Sequence, residues 1–283
     1  MAVIGYDRLV RGRQRLRALS TAADELGGQM KFFVDTVGHT PTALRHYRKD
    51  VLRLIAEIGM GTGALAVIGG TVVIVASLTL FTGGTIAIQG YSSLGDIGIE
   101  SLTGFLAAFI NVRVAAPVVA GIGLSATIGA GSTAQLGAMR IAEEIDALDS
   151  MGIRPLPYLV STRLIAGTLV IIPMYSAAVI ASFYSCRFVT VTVFGQSGGL
   201  YDHYFRTFLQ PGDLLWSFLQ AILMGAAVML VHTYYGFTAS GGPAGVGRAV
   251  GRAVRTSLIV VVCVTLLISL AVYGPTGNFH LSG

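Results

Sequence analysis

A run of four carboxylates in the middle of the chain is the feature of the sequence best suited to contact with a partner. These carboxylates belong to Glu143, Glu144, Asp146 and Asp149. They can accept charge-assisted hydrogen bonds from a basic surface. Apolar Ile141, Ile145 and Leu148 recur at helical spacing among them, and a stop signal follows at Gly152 and Pro155. The pattern predicts a short amphipathic helix, either solvated in a loop or docked on a partner at a membrane surface.

Sequence patterns for catalysis, nucleotide binding and metal binding are missing. Neither lysine, Lys31 or Lys49, follows a glycine, so the sequence has no Walker-type phosphate loop. Cys186 and Cys263 lie in apolar surroundings without a ligand spacing, which is typical of small hydrophobic residues. No serine, cysteine or metal constellation supports a membrane enzyme. We therefore expect no catalytic residue, no metal site and no cofactor in this chain.

The composition is typical of an integral membrane protein. Of the 283 residues, 53% are hydrophobic and 12% are charged, and the mean hydropathy is +0.72. Soluble domains carry about 25% charged residues. Five apolar stretches are long enough to cross a bilayer, which predicts an all-α fold with five transmembrane helices. They cover residues 58–81, 98–138, 158–186, 214–237 and 257–273.

The second stretch is too long for a single straight crossing. As a continuous helix, residues 98–138 would extend about 60 Å, twice the thickness of the hydrocarbon core. We expect a bend or break near Pro117 or in the small-residue run 121–131. Arg113 is the only basic residue in this span, and Glu100 stands at its start. We expect it to pair with Glu100 or a carbonyl, or else to contact a ligand.

The remaining segments flank and connect the spans. The sequence predicts an Arg-rich arm over residues 1–39. Over residues 40–57 it predicts one interfacial amphipathic helix with Thr40 as its N-cap. We expect a kink at Pro173 in the third span. Loops are expected at 83–97, at 187–212 with a short interfacial helix, and at 239–255, and a tail at 274–283.

Lysine and arginine residues predict the orientation in the membrane. Ten lie in residues 1–53, three around the acidic stretch and three in 239–255, whereas 83–97 and the tail have none. The positive-inside rule then places the N-terminus, the acidic helix and 239–255 in the cytoplasm and the C-terminus outside. Five crossings satisfy this arrangement. The positive charge thus concerns topology, and we expect no nucleic-acid partner.

Several blocks of the chain carry a known pattern. They are Gly131-Ser-Thr-Ala-Gln-Leu-Gly-Ala-Met-Arg-Ile-Ala-Glu-Glu-Ile-Asp-Ala-Leu148 with Met151, Gly152 and Pro155, Ile88-Gln-Gly-Tyr91, Arg113 with Pro117-Val-Val119, Ser161 with Arg163, and Gly245–Val250. In these blocks the chain resembles the MlaE/YrbE permease family, the membrane subunits of ABC-type lipid transporters that work with MCE-domain proteins. The acidic form is most similar to the actinobacterial YrbE permeases of Mce operons, as the B-type member of an A/B pair.

The resemblance implies a permease domain at 58–273 in which residues 138–152 form a coupling helix. This helix would contact a cytoplasmic ABC ATPase dimer, and that ATPase would bind ATP and magnesium. The residues assigned to coupling are Met139, Arg140, Glu143, Glu144, Asp146 and Leu148.

The resemblance also implies partners in and outside the cytoplasmic membrane. These are a second YrbE-type permease in a heterodimer, packed through the Gly-rich faces of the first and fifth spans, and extracytoplasmic MCE-domain proteins. The MCE proteins would deliver lipid near 83–97 and 187–212 for import. Residues expected to line a lipid pathway or to pack helices are Gly59, Gly63, Gln89, Arg113 and Gln220.

Four positions depart from the family pattern and bear on the cargo. Neutral residues stand where some members carry charge, at Val114, Thr127, Gln135 and Gln220. We interpret this as a cavity suited to a fatty acid, a mycolate-like lipid or a sterol, or as a division of labour between two permease chains. The alternatives are a structural anchor of an MCE assembly and an ion-coupled secondary transporter. The transporter is disfavoured because the acidic residues near the spans lie at their ends.

Overall fold

The computed structural model describes residues 26–60 and 70–273, and the regular structure within these ranges is helical. Five of these helices contain stretches long and apolar enough to cross a membrane. This confirms the prediction of an all-α integral membrane protein with five spans. In chain order the helices are α1 (26–38), α2 (Thr40–His46), α3 (Arg48–Met60), α4 (Gly70–Gly95), α5 (Glu100–Ile141), α6 (Glu144–Ser150), α7 (Leu156–Val193), α8 (Gly198–Phe208), α9 (Pro211–Phe237) and α10 (Gly242–Tyr273).

The segment before the spans differs from the prediction of one helix over 40–57. The backbone leaves helical geometry at Tyr47, where φ is −117°, and this separates α2 from α3. The Tyr47 ring packs against Tyr158 with a centroid distance of 5.0 Å, which fixes the bend against α7. The N-cap of α2 is His39 and not Thr40. Residues 1–25 of the predicted arm lie outside the described residues.

The predicted arm of residues 1–39 also contains a packed helix. Thr36 in α1 is fully buried, and its backbone carbonyl accepts a hydrogen bond of 2.9 Å from the Ser161 hydroxyl. Phe32 packs edge-on against Tyr234 of α9 at 5.3 Å. The C-terminal part of the arm is therefore attached to α7 and α9.

The first span extends further along the chain than the predicted end at residue 81. It is α4, whose apolar crossing segment is Thr71–Gly95, so the loop expected at 83–97 is mostly helical. Thr82 and Thr85 donate hydrogen bonds to the carbonyls four residues earlier, which lets polar residues continue the helix. Residues 61–69, including Gly63, lie outside the described residues.

The long second span does not break. α5 runs through 42 residues and contains two π-helical turns, Asn111–Ala115 and Ser125–Gly129. The carbonyl that Pro117 would otherwise obstruct belongs to Arg113, inside the first of these turns. A wider turn thus accommodates the proline without ending the helix. The third span likewise continues through Pro173.

The loop expected at 239–255 is also helical. Gly241 and Gly242 have φ values of +87° and +69° and form the turn before α10, which then continues to Tyr273. Gly137 of α5 lies so close to α10 that a Cβ there would be 2.9 Å from Val246. The glycine at position 137 therefore lets α5 and α10 approach closely.

The short helix expected within 187–212 is present as α8. Arg187 donates hydrogen bonds of 2.8 and 3.0 Å to the two carboxylate oxygens of Asp202. These bonds lower the pKa of the Asp202 carboxyl below its usual value. Tyr201 of α8 is buried against Ala107 and Cys186. The helix is thus fixed on one end of the bundle, which we call the α8 end.

The core of the bundle surrounds α7. In the most apolar 18-residue segment of α7, 56% of the residues are buried, whereas in the corresponding segments of α4 and α10 the share is 22%. α4, α5 and α9 pack around α7 with residues such as Val75, Leu124 and Met224, and α10 packs against α5 and α9 with residues such as Val261. The outer faces of α4 and α10 expose large apolar side chains, which suits contact with lipid or with another membrane chain.

Candidate coupling site and buried polar groups

The acidic stretch forms a bent junction instead of the single helix expected over 138–152. α5 ends at Ile141, and α6 begins at Glu144. Between them, Glu143 has φ +60°, the one positive φ of a non-glycine among the described residues. A left-handed residue cannot continue a right-handed helix, so the chain changes direction here. We call residues 139–149 the acidic junction.

The acidic junction presents carboxylates outward and apolar side chains inward. Glu143, Glu144, Asp146 and Asp149 are exposed. Ile145 is 2% exposed and packs with Leu136 and Leu159, and Met139 and Leu148 pack against the same cluster. The amphipathic prediction is therefore confirmed for α6. Met151 is 66% exposed and does not continue the inward stripe.

An ion pair joins the two helices of the acidic junction. Arg140 at the end of α5 contacts Asp146 in α6, with Nη1 and Oδ1 2.6 Å apart. Both side chains are exposed, at 37% and 65%, so the pair contributes at most about 1 kcal/mol. It still orients the two helices, and it leaves the carboxylates of Glu143 and Glu144 without an ion-pair partner in the described residues.

The stop signal predicted at Gly152 is confirmed. Gly152 has φ +76°, its N–H donates to the Asp149 carbonyl at 2.9 Å, and the Ile153 N–H donates to the Leu148 carbonyl at 3.0 Å. These two bonds are the Schellman arrangement, which satisfies the last carbonyls of α6. Both ends of the seven-residue helix are therefore defined by backbone geometry.

Arg113 lies inside the bundle and pairs with a residue that the sequence analysis did not select. Its Nη2 is 2.7 Å from the Asp213 carboxylate at the start of α9, and its Nε donates to the same oxygen at 3.2 Å. The guanidinium also lies 4.1 Å from the centroid of the Phe109 ring. The expected pairing of Arg113 with Glu100 is wrong, because Glu100 lies 13 residues away along α5, which is about 20 Å in a helix.

Further polar side chains lie buried near this ion pair. Ser182 of α7 donates to the Asn111 side-chain oxygen at 2.7 Å, and Ser217 of α9 donates to the Val112 carbonyl at 2.5 Å. Gln220, one turn further along α9, is 2% exposed, and its Nε2 has no hydrogen-bond partner among the described residues. These groups join α5, α7 and α9 in the half of the bundle nearer α8.

The other residues selected for a lipid pathway or helix packing are dispersed. Gly59 of α3 packs against Val170 of α7, where a Cβ would make an ordinary contact at 3.8 Å. Gln89 is exposed on α4. The structure therefore does not bring Gly59, Gln89, Arg113 and Gln220 into one site.

A fully buried histidine forms a second polar cluster that the sequence analysis missed. His232 of α9 lies 3.2 Å from the Ser125 hydroxyl and 3.1 Å from the Ser257 hydroxyl through Nε2. Its Nδ1 lies 2.8 Å from the Thr133 hydroxyl. We call these four side chains the His232 cluster. The cluster joins α5, α9 and α10. The sequence feature that could have indicated it is a histidine within an apolar span.

The His232 cluster is compatible with a neutral imidazole. An Nδ1–H can donate to Thr133, whose hydroxyl lies 3.0 Å from the His232 carbonyl and 3.1 Å from that of Gly129. Nε2 can then accept from either serine, and the serine hydroxyls are 2.5 Å apart. Gly129 is required beside the ring because a Cβ there would lie 2.5 Å from His232 Cδ2.

Comparison with known proteins identifies one family of membrane permeases. Residues 60–271 match the family described as Permease MlaE. The chain is 28% identical over 205 residues to a probable ABC transporter permease protein of Rickettsia prowazekii, covering 69% of this chain and 76% of that protein. It is 26% identical over 197 residues to the intermembrane phospholipid transport system permease protein MlaE of Haemophilus influenzae, covering 69% and 75%. It is 25% identical over 198 residues to the chloroplastic protein TRIGALACTOSYLDIACYLGLYCEROL 1 of Arabidopsis thaliana, covering 70% and 57%.

Proposed function

The chain belongs to the MlaE permease family, and on this premise we propose that it is the transmembrane subunit of an ATP-driven lipid importer. ATP and magnesium are bound by a separate ABC ATPase dimer. The acidic junction faces the cytoplasm and contacts that ATPase through Met139, Arg140, Glu143, Glu144, Asp146 and Leu148.

The observation that carries the proposal is the shape of the acidic junction. Its carboxylates are exposed, while Ile145 is buried against Leu136 of α5 and Leu159 of α7. A force applied to α6 therefore acts directly on two membrane-spanning helices. Unpaired carboxylates suit a basic groove on a partner, because charge-assisted hydrogen bonds are stronger than neutral ones.

The proposed topology assigns each end of the bundle to one side of the membrane. The α6 end is cytoplasmic and the α8 end is extracytoplasmic, with the N-terminus inside and the C-terminus outside, by the positive-inside rule. MCE-domain proteins deliver lipid at the α8 end. A second YrbE-type permease packs on the exposed faces of α4 and α10, with this chain as the B-type member of the pair.

The buried polar groups bear on the proposed cargo. Asp213 neutralises Arg113, the one basic residue that the sequence places within residues 98–138. Gln220 adds a neutral amide where some family members carry a lysine. A pathway with little net charge suits a fatty acid, a mycolate-like lipid or a sterol better than a lipid that is recognised by its phosphate.

Co-purification followed by lipid extraction tests this function. The tagged full chain is purified in a mild detergent from cells that express its neighbouring transport genes, and bound proteins and lipids are identified by mass spectrometry. We expect an ABC ATPase, MCE-domain proteins, a second permease and one of the three lipid classes. Recovery of MCE proteins without an ATPase would support a structural anchor instead. ATP-independent, ion-driven lipid uptake in vesicles would support a secondary transporter.

A further inference from the structure

An open cleft of about 690 Å³ lies at the α6 end of the bundle. Four helices enclose it. α3 contributes a face through Asp50, Leu54 and Glu57, at the spacing i, i+4, i+7, and α6 contributes Glu144, Leu148 and Met151 at the same spacing. The end of α5 and the start of α7 form the floor. The volume is within the range of small-molecule sites, about 300–1,000 Å³.

The cleft contains charges of both signs. Arg53 and Arg163 are the basic residues, and Asp50, Glu57 and Glu144 are the acidic ones. Within the part of the chain that the structure describes, none of the five forms an ion pair. Opposite charges that share a cleft without pairing with each other are available to a ligand that itself carries both charges.

Arg163 is the buried member of this group. The residue is 9% exposed, and its Nη1 donates to the Leu159 carbonyl at 3.0 Å. Its Nε is buried and has no hydrogen-bond partner among the described residues. A buried guanidinium with an unused donor is costly unless an acceptor arrives, and oxygen atoms of a phosphate match its planar donors.

The cleft also has an apolar wall and a position at the membrane surface. Met139, Leu148 and Leu159 line it, and Met151, which is 66% exposed, also contributes to the lining. α3 precedes the first span and exposes Arg48 and Lys49, as an amphipathic helix at the head-group level does. A ligand that fits this position has an acyl region beside a charged head group.

We propose that the cleft binds one zwitterionic phospholipid of the phosphatidylethanolamine type from the cytoplasmic leaflet. The phosphate lies against Arg163 and Arg53, the ammonium group faces Glu57 and Asp50, and the acyl chains leave along Leu54 and Met151. A purely anionic head group fits less well, because three carboxylates outnumber two guanidinium groups in the lining. The site is separate from the transport pathway near Arg113, which lies in the other half of the bundle.

Binding to the purified full chain in detergent tests this site without ATPase or MCE partners. Short-chain phosphatidylethanolamine is titrated by isothermal calorimetry beside short-chain phosphatidylglycerol and free phosphoethanolamine. We expect phosphatidylethanolamine to bind most tightly. Arg163→Gln should weaken its binding at least about tenfold, because a hydrogen bond to a charged group is lost. The matched control is Arg154→Gln, an exposed arginine of the α6–α7 connection that lies outside the cleft lining.

Two further variants keep the test decisive if Arg163→Gln fails to fold. Glu57→Gln should reduce the preference for phosphatidylethanolamine over phosphatidylglycerol, and Leu54→Trp should block both lipids by filling the cleft. Equal affinity for the two lipids in the wild type would overturn the proposal, as would unchanged binding in Leu54→Trp. Tight binding of free phosphoethanolamine would show that the ligand is a soluble phosphate and not a lipid. Met139, Glu144 and Leu148 belong both to the cleft lining and to the acidic junction. The variants at Arg163, Glu57 and Leu54 lie outside the acidic junction and are measured without the ATPase, so their failure is distinguishable from failure of the proposed ATPase contact.

Discussion

Glu143 has a backbone conformation that its side chain disfavours. A left-handed residue other than glycine costs about 1–2 kcal/mol, yet the bend between α5 and α6 depends on it. Strain of this kind is retained where a function needs the geometry or the side chain. We infer that the Glu143 carboxylate is retained for contact with a partner, since glycine would form the same bend more easily.

Glu143→Gly should therefore stabilise the isolated chain by about 1 kcal/mol, because the left-handed conformation no longer has a steric cost. The measurement is thermal unfolding in detergent. The matched control is Ala142→Gly at the neighbouring position, where φ is −87° and glycine should lower stability. A fall in stability for Glu143→Gly equal to that of the control would contradict the inference.

For the Arg113–Asp213 ion pair, we expect that removing one partner lowers stability more than removing both. Asp213→Leu should cost about 3–5 kcal/mol because it leaves a largely buried guanidinium without its carboxylate. The double variant Arg113→Leu with Asp213→Leu should recover most of this loss, since an apolar pair needs no counter-charge. Thermal unfolding of the two variants checks the prediction. A double variant as unstable as the single one would mean that Arg113 has an essential role besides pairing.

Residue types were easier to predict than residue partners. The sequence identified Arg113 as a buried charge, because an arginine inside an apolar span is conspicuous. It could not identify Asp213, which lies 100 positions later in the chain. The same limit explains the His232 cluster, whose four hydroxyl and imidazole groups come from three helices and are individually unremarkable in the sequence.

Helix boundaries show which physical signals the sequence carries. The Gly152 stop and the short helix α8 were predicted because a turn residue or a polar interruption marks them. The end of α4 and the start of α10 were wrong because glycine-rich segments, beginning at Gly83 and covering 239–255, were interpreted as loops. In a membrane helix, a threonine hydroxyl can bond to the preceding turn, and glycine permits close packing, so neither ends the helix.

The His232 cluster should hold three helices together. His232→Phe removes the hydrogen bonds at both ring nitrogens, which should cost about 1–3 kcal/mol, while the three hydroxyls keep partners among themselves or at backbone carbonyls. Thr133→Val should cost less because it affects one ring nitrogen only. Thermal unfolding measures both, and His203→Phe on the exposed face of α8 is the control. If His232→Phe is as stable as this control, the cluster does not connect the helices energetically.

The molecule as a whole has two different ends joined by continuous helices. The α6 end exposes carboxylates and contains the mixed-charge cleft, while the α8 end carries a short helix held by Arg187 and Asp202. α5 connects the acidic junction to the Arg113 region without a break and contains two π-turns. Such turns are frequent at functional sites. This architecture suits a permease that transmits movement from one membrane face to its interior.

The central claim is that the acidic junction binds the ATPase, and charge reversal tests it most directly. Glu143→Lys with Glu144→Lys should abolish co-purification of the ATPase and ATP-dependent lipid uptake, because a basic groove would repel the new lysines. Asp96→Lys, a reversal at an exposed position of the α8 end, should leave co-purification of the ATPase unchanged. Retention of the ATPase and of lipid transport in the folded double variant would contradict the account.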